Sequence, residues 1–247
     1  MVAPEDVKLE DHSARLAPKL LGAVMPLIDV VAAEGAVVPN NWPMMLAFYL
    51  YGQGVASFQA AQALIEVQLP VEALPPLRAL TIVAARFELM TDPEGPGLGI
   101  VARMALDGLS ERDVEEEYAV RRRPEMESVF ASAGLTMPNE LPSAERTSIY
   151  HSLTAEMRFA ESVANATYGA AELHITSETK DRIGFRIRLE PGPLTDMVSS
   201  ACVVAALELL QGATALFGWS VNVEEVDRLL AEARQLNEES ALGQLAP

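Results

Sequence analysis

The chain has 247 residues, half of them hydrophobic but only 6% aromatic, and a mean hydropathy of +0.16, so its apolar mass is Ala, Leu and Val. That length suits one domain with ample chain to bury a core, and Ala/Leu-rich segments favour closely approaching helices. The 35 acids against 18 bases give a net charge of −17, a field that repels polyanions and argues against nucleic acid as a partner.

Helical stretches alternate with breakers. The first runs from Leu16 to Glu34; Ser13 is placed to cap it, Gly35 to end it, and Pro26 to bend it, while Pro18 fits its first turn. A loop through Val37, Pro39, Asn40 and Asn41 leads to a helix opened by Pro43 and running to Val67. Leu69-Pro70 breaks it. A third helix covers Glu72 to Met90, with Pro75 and Pro76 in its first turns. The run Asp92-Pro93-Glu94-Gly95-Pro96-Gly97 is a loop, followed by a short helix from Leu98 to Leu106. Ser110-Glu111-Arg112-Asp113 resembles a capping box with Asp in the last position. It starts a charged helix that ends near Ala133-Gly134 and that Pro124 should interrupt. Its block Arg121-Arg122-Arg123 is flanked by Glu115, Glu116, Glu117, Glu125 and Glu127, which makes it a self-compensated solvated face.

Beyond the loop at Pro138, Pro142 and Ser143, the residues from Ala144 to Ala171 read as one long helix. The pattern then changes to period two in Leu173-His174-Ile175-Thr176 and Phe185-Arg186-Ile187-Arg188-Leu189, which fits a small hairpin or an ordered loop. A long apolar helix follows from Leu194 to Phe217, and Asn222 caps a last helix with the stripe Val223, Val226, Leu229, Leu230 and Ala233. There is no internal repeat or linker. The expected fold is all-α: a single domain over 1–247, a bundle of about seven or eight helices with an irregular or β-hairpin insertion near 173–189, and frayed termini at 1–12 and 238–247.

Compartment signals are few. Met1 to Glu10 carries three acids and no apolar core, unlike a signal peptide, so a cytoplasmic location is expected. The single cysteine, Cys202, cannot form an intrachain disulfide and sits among Ala201, Val203 and Val204 as a small core residue. The segment from Gly35 to Ile65 has no charged residue, but it carries Asn40, Asn41, Gln53, Gln59 and Gln62 and is broken by Gly52 and Gly54. It reads as a buried core helix, not a membrane span.

Chemistry-bearing motifs are sparse. The three histidines, His12, His151 and His174, form no metal-binding pair, and no phosphate-binding, dinucleotide or nucleophile-elbow motif is present, so neither a metal nor a cofactor is implied. Arg146-Thr147-Ser148-Ile149-Tyr150-His151 resembles the signature of HEPN-type ribonucleases, which are dimeric helical proteins. That resemblance implies that Arg146 holds the scissile phosphate and His151 assists proton transfer. Chance alone yields about half a match from three histidines and 15 arginines. The other candidates are charges inside apolar helices: Arg78, Arg86 and Glu88 in one, Glu156, Arg158 and Glu161 in another. Such charges must be paired or reach water. They read either as a structural network or as a pocket for a small anionic ligand around Arg78 and Arg86, with Glu156 and Arg158 contributing.

The same two helices carry a second resemblance. Leu64 to Met90, with Leu69-Pro70-Val71-Glu72-Ala73-Leu74 leading into Leu77-Arg78, is similar to a group of uncharacterised bacterial all-helical proteins. Those carry a Leu-x-Arg-x-Leu-type helix, a later Tyr-x-x-Leu-Ser/Thr-x-x-x-His helix and another long apolar helix. Tyr150, Leu153 and Thr154 match the later motif; Arg158 stands where the histidine is expected, and Ile82 where the group often has glutamate. The resemblance spans Gln53 to Phe217 and implies an all-helical fold without assigning an activity. The reading of the residues is thus a helical binding or assembly protein, homo-oligomeric through the helix from Pro43 or from Leu194, with a HEPN-like nuclease and a small-anion sensor or enzyme as alternatives.

Overall fold

The computed structural model describes residues 19–28, 41–108, 116–164, 175–179, 182–185 and 193–244. Its architecture is an all-α multi-helix bundle. In chain order the helices are α1 (Lys19–Ile28), α2 (Trp42–Glu66), α3 (Leu74–Thr91), α4 (Gly99–Gly108), α5 (Glu116–Ser132), α6 (Ser148–Ser152), α7 (Thr154–Ala164), α8 (Pro193–Phe217) and α9 (Val223–Gln244). A 3-10 turn, Ala144–Arg146, precedes α6. The strands β1 (Ile175–Thr179) and β2 (Arg182–Phe185) pair antiparallel, with Glu178 opposite Ile183 and an irregularity between Ile175 and Ser177. The hairpin alternative at this insertion is therefore the observed one. Ser13, Gly35, the box at 110–113, and His12 and His174 lie outside the described residues.

Local chemistry explains the helix ends. The Asn41 side chain accepts a hydrogen bond from the Met44 amide at 3.0 Å and Pro43 occupies the first turn of α2. At the other end the Leu69 amide bonds the Leu64 carbonyl and the Gln68 amide the Ile65 carbonyl, a Schellman motif in which Gln68 takes the left-handed conformation at φ 61°. The same pair of bonds closes α5, with Gly134 in the left-handed position. Asn222 caps α9 through the Glu225 amide at 3.2 Å.

Two expectations about helix continuity need correction. Pro124 does not interrupt the charged helix: it lies inside α5. Proline leaves the Val120 carbonyl without its helical donor, but Val120 and Pro124 are both exposed, so solvent can serve that carbonyl. The long helix over Ala144–Ala171 is instead broken twice. Thr147 turns out of the 3-10 turn as the cap of α6, its hydroxyl accepting from the Tyr150 amide at 3.3 Å. At Leu153 the chain breaks again, and the Thr154 hydroxyl donates to the carbonyls of Tyr150 (3.1 Å) and His151 (2.9 Å). Hydroxyls that bond nearby backbone compete with a continuous helix.

The bundle is organised around α8, buried almost without interruption from Met197 to Leu207 and packed by α2, α3, α7 and α9. Small residues set the spacing: a Cβ on Gly54 of α2 would meet Leu209 and Val83, and one on Gly212 of α8 would lie 2.8 Å from the Phe87 Cβ. Among the described residues one helix, over Leu194–Phe217, is long and apolar enough to cross a membrane, yet 67% of its apolar window is buried within the fold. Helix α2, without charge before Glu66, is not the buried core helix expected: it buries one face and exposes the other.

Candidate functional site

The charges of α3 converge on the segment from Pro142 to Glu161, which α3 contacts through the 3-10 turn, α6 and α7. At one end the Arg86 guanidinium donates to the Pro142 carbonyl at 2.7 Å, and burial lowers the pKa of that guanidinium. Beside it the Glu88 carboxylate accepts from the Ser148 amide at 2.7 Å and the Ile149 amide at 3.2 Å. Those are the first two amides of α6. With Thr147 serving Tyr150, the otherwise orphaned donors at this helix start are satisfied, and a negative charge sits at its positive end. At the other end Arg78 pairs with Glu161 at 3.5 Å, and Tyr150 donates to the same Glu161 carboxylate at 3.4 Å. Burial, then the charge of Glu161, raises the Tyr150 hydroxyl.

This geometry separates the candidates. Arg78 and Glu161 have side chains 43% and 41% exposed, so the pair is a solvated one at the edge of this contact. Its position explains why: Arg78 lies on the flank of α3 between buried Leu77 and exposed Ala79, within reach of water. Glu88 is spent on the backbone of the opposing segment, and Arg86 reaches it through one terminal nitrogen while its Nε is buried without a hydrogen-bond partner among the described residues. Arg158 is exposed and joins none of these contacts. Arg146 and His151 are both exposed, one in the 3-10 turn and the other on α6.

Glu156 has a different environment. It is 2% exposed at the junction of α7, α8 and α9. The Asn237 amide bridges it to α8: its nitrogen donates to the Glu156 carboxylate and its oxygen accepts from the Ser200 hydroxyl at 3.0 Å. Burial raises the Glu156 pKa, and the hydrogen bonds from its own backbone amide and from Asn237 offset only part of that. Asn237 and Ser200 carried no sequence signal, because nothing in their spacing from Glu156 marks a contact across three helices. Among the described residues, no three His, Cys, Asp or Glu side chains gather as a metal site.

Two open cavities are present away from these charges. One of about 430 Å³ lies between the loops at 95–98 and 134–138. The other, of about 300 Å³, lies between α2 and α5, lined by Trp42, Leu46, Met126, Val129 and Phe130 with Arg122 and Glu125. The second adjoins the most unusual surface. Of eight large hydrophobic side chains exposed among the described residues, five belong to α2 and its cap: Trp42 (60%), Met45 (49%), Phe48 (39%), Tyr49 (66%) and Val67 (60%). Behind them the Tyr51, Phe87, Phe217 and Trp219 rings pack edge-to-face, with Tyr51 and Trp219 centroids 5.3 Å apart. Burial pushes the Tyr51 hydroxyl up to about 12.

Known proteins add nothing to this picture. No family model, curated protein or solved structure matches the chain. The functional reading therefore rests on the geometry alone.

Proposed function

We propose that this chain is a non-catalytic helical assembly protein that acts by binding another protein surface, in the first place its own. The observation that carries the reading is the outer face of α2: four large apolar side chains in two turns, exposed on a helix with no charge before Glu66, in a chain of net charge −17. Contiguous apolar surface of this kind on a single chain marks an interaction site, whereas scattered apolar residues do not. Arg86, Glu88 and Glu156 each bond another part of the fold, which supports a structural role for these charges. A cytoplasmic setting fits a chain whose one thiol, Cys202, is buried and unpaired.

The test is sedimentation velocity from about 1 to 100 μM, a range that brackets ordinary self-association. A concentration-dependent shift to a species twice the 26.6 kDa chain mass is expected. A single 26.6 kDa species throughout would defeat the reading.

A further inference from the structure

We infer that the partner of the α2 face is α2 of a second copy, laid antiparallel about a two-fold axis between Gly52 and Ala56. The inference rests on the assembly reading above and specifies its geometry. On α2 the positions 42, 45, 49, 52, 56, 59 and 63 are all exposed, and they advance by alternating steps of three and four, the spacing of a coiled-coil seam. The seam changes character along its length. Its first half is Trp42, Met45 and Tyr49; its second half is Gly52, Ala56, Gln59 and Ala63.

A face that is bulky at one end and small at the other complements itself only when the second copy runs the opposite way. The antiparallel register puts Met45 opposite Ala63, Tyr49 opposite Gln59 and Gly52 opposite Ala56. A Cβ built on Gly52 meets nothing within 4 Å, so the helix surface there is open for a neighbour. Parallel pairing would crowd Trp42 on Trp42, leave a gap along the alanines and bring Glu66 against Glu66. In the antiparallel pair each Glu66 instead lies beside the start of the other α2, where the helix dipole favours a negative charge. Val67, which follows it, then reaches the cavity beside Trp42.

Charge and area agree with a second copy as occupant. Two chains of −17 repel wherever acidic surfaces meet, and this seam carries no charge from Trp42 to Ala63. At exposures of 60%, 39% and 66%, the rings of Trp42, Phe48 and Tyr49 leave about 350 Å² open. That is close to half of the roughly 800 Å² that one partner contributes to a stable interface, and the remaining length of a helix about 37 Å long lies beyond them.

Cysteine cross-linking tests the geometry, because Cys202 is fully buried and introduced thiols report alone. Met45→Cys and Ala63→Cys chains are mixed, oxidised and read by non-reducing gel, alongside sedimentation of the wild-type chain and of Tyr49→Glu. The expected result is a mixed 45–63 disulfide, little 45–45 or 63–63 product, and a dimer constant weakened at least about tenfold by Tyr49→Glu. Far-UV circular dichroism confirms that these surface variants stay folded. A dimer that yields only 45–45 product pairs in parallel and overturns the inference. A dimer that yields no disulfide uses another face, which overturns the inference and leaves the assembly reading standing. A monomer at all concentrations removes both. A monomer whose tryptophan emission shifts to the blue on zwitterionic vesicles would assign the face to a lipid surface instead.

Discussion

Replacing Glu88 by Gln tests whether the charges of α3 hold the fold together. Its carboxylate bridges two amides that lie 60 and 61 residues away in sequence. Gln keeps one acceptor oxygen but turns a donor toward the second amide, so one bond and the charge are lost together. A hydrogen bond to a charged group contributes about 1.5–3 kcal/mol, and a charge at a helix start about 0.3–1 kcal/mol. Ser148 is exposed and its amide can turn to water, whereas Ile149 is buried, so the lower half of that range applies. Glu88→Gln should therefore cost about 2–3 kcal/mol in a urea melt, the lower half of the two effects combined. Arg78→Met breaks only a solvated pair and should cost less than about 1 kcal/mol. Amide exchange should accelerate at Ser148 and Ile149 in the Glu88 variant and stay unchanged there in the Arg78 variant. A loss below about 0.5 kcal/mol for Glu88→Gln, or above about 2 kcal/mol for Arg78→Met, would refute the division of roles argued from their partners.

Glu156→Gln should stabilise the chain at neutral pH, because Gln keeps an acceptor for Asn237 without burying a charge. The sign follows from linkage: the folded pKa is raised above the unfolded one, so the native state holds the proton more tightly and stability falls as pH rises between the two. The advantage of Gln should vanish in melts below the ordinary carboxylate range; an advantage that persists there would contradict it. Gln68→Gly should raise stability by about 0.5–1 kcal/mol, since it relieves a left-handed residue at the end of α2; thermal melts that show a loss would mean that Gln68 has a contact worth more than that strain. Arg146→Ala and His151→Ala, both at exposed positions, should each shift stability by less than about 0.5 kcal/mol. Cleavage of single-stranded RNA by the wild-type chain that both changes abolish would favour the nuclease reading over the assembly reading.

The fold was legible wherever a residue acts on its own neighbours. Pro43, Asn222 and Gly134 mark helix ends because each satisfies or withholds a backbone bond within four residues of itself; near 175 and 185 the change of period marked a hairpin, but its described strands run through the polar residues between the two alternating stretches. The errors came where local signals compete. Over Ala144–Ala171 the helical period was genuine, but Thr147 and Thr154 offered the backbone other partners, and the packing of α6 and α7 against α3 settled the contest. The site was legible as a set of residues whose charges needed an explanation, not as an arrangement. Arg86 and Glu88 found backbone partners more than fifty residues away, and Glu156 found Asn237, at separations that no spacing rule spans.

The two apolar helices show why the same composition supports opposite roles. Both α2 and α8 are 25 residues long, and each is almost free of charge. For α8 the neighbours α2, α3, α7 and α9 surround the helix, so its apolar residues are matched within the fold and even its small positions are filled, as Gly212 is by Phe87. For α2 the described neighbours α3, α4 and α8 cover the side of Leu50, Gly54, Phe58 and Ala61, and the other side keeps Trp42, Met45 and Tyr49 in solvent. Absence of charge tells only that a helix face is meant to be dry. Whether the fold or a second molecule dries it depends on how many neighbours the helix has, and that number is set by the order of the bundle, not by the helix's own sequence. The outer face of α2 lacks its neighbour among the described residues, which is why its aromatic end and its alanine end are better explained together, as two halves of one symmetric contact, than separately as stray surface residues.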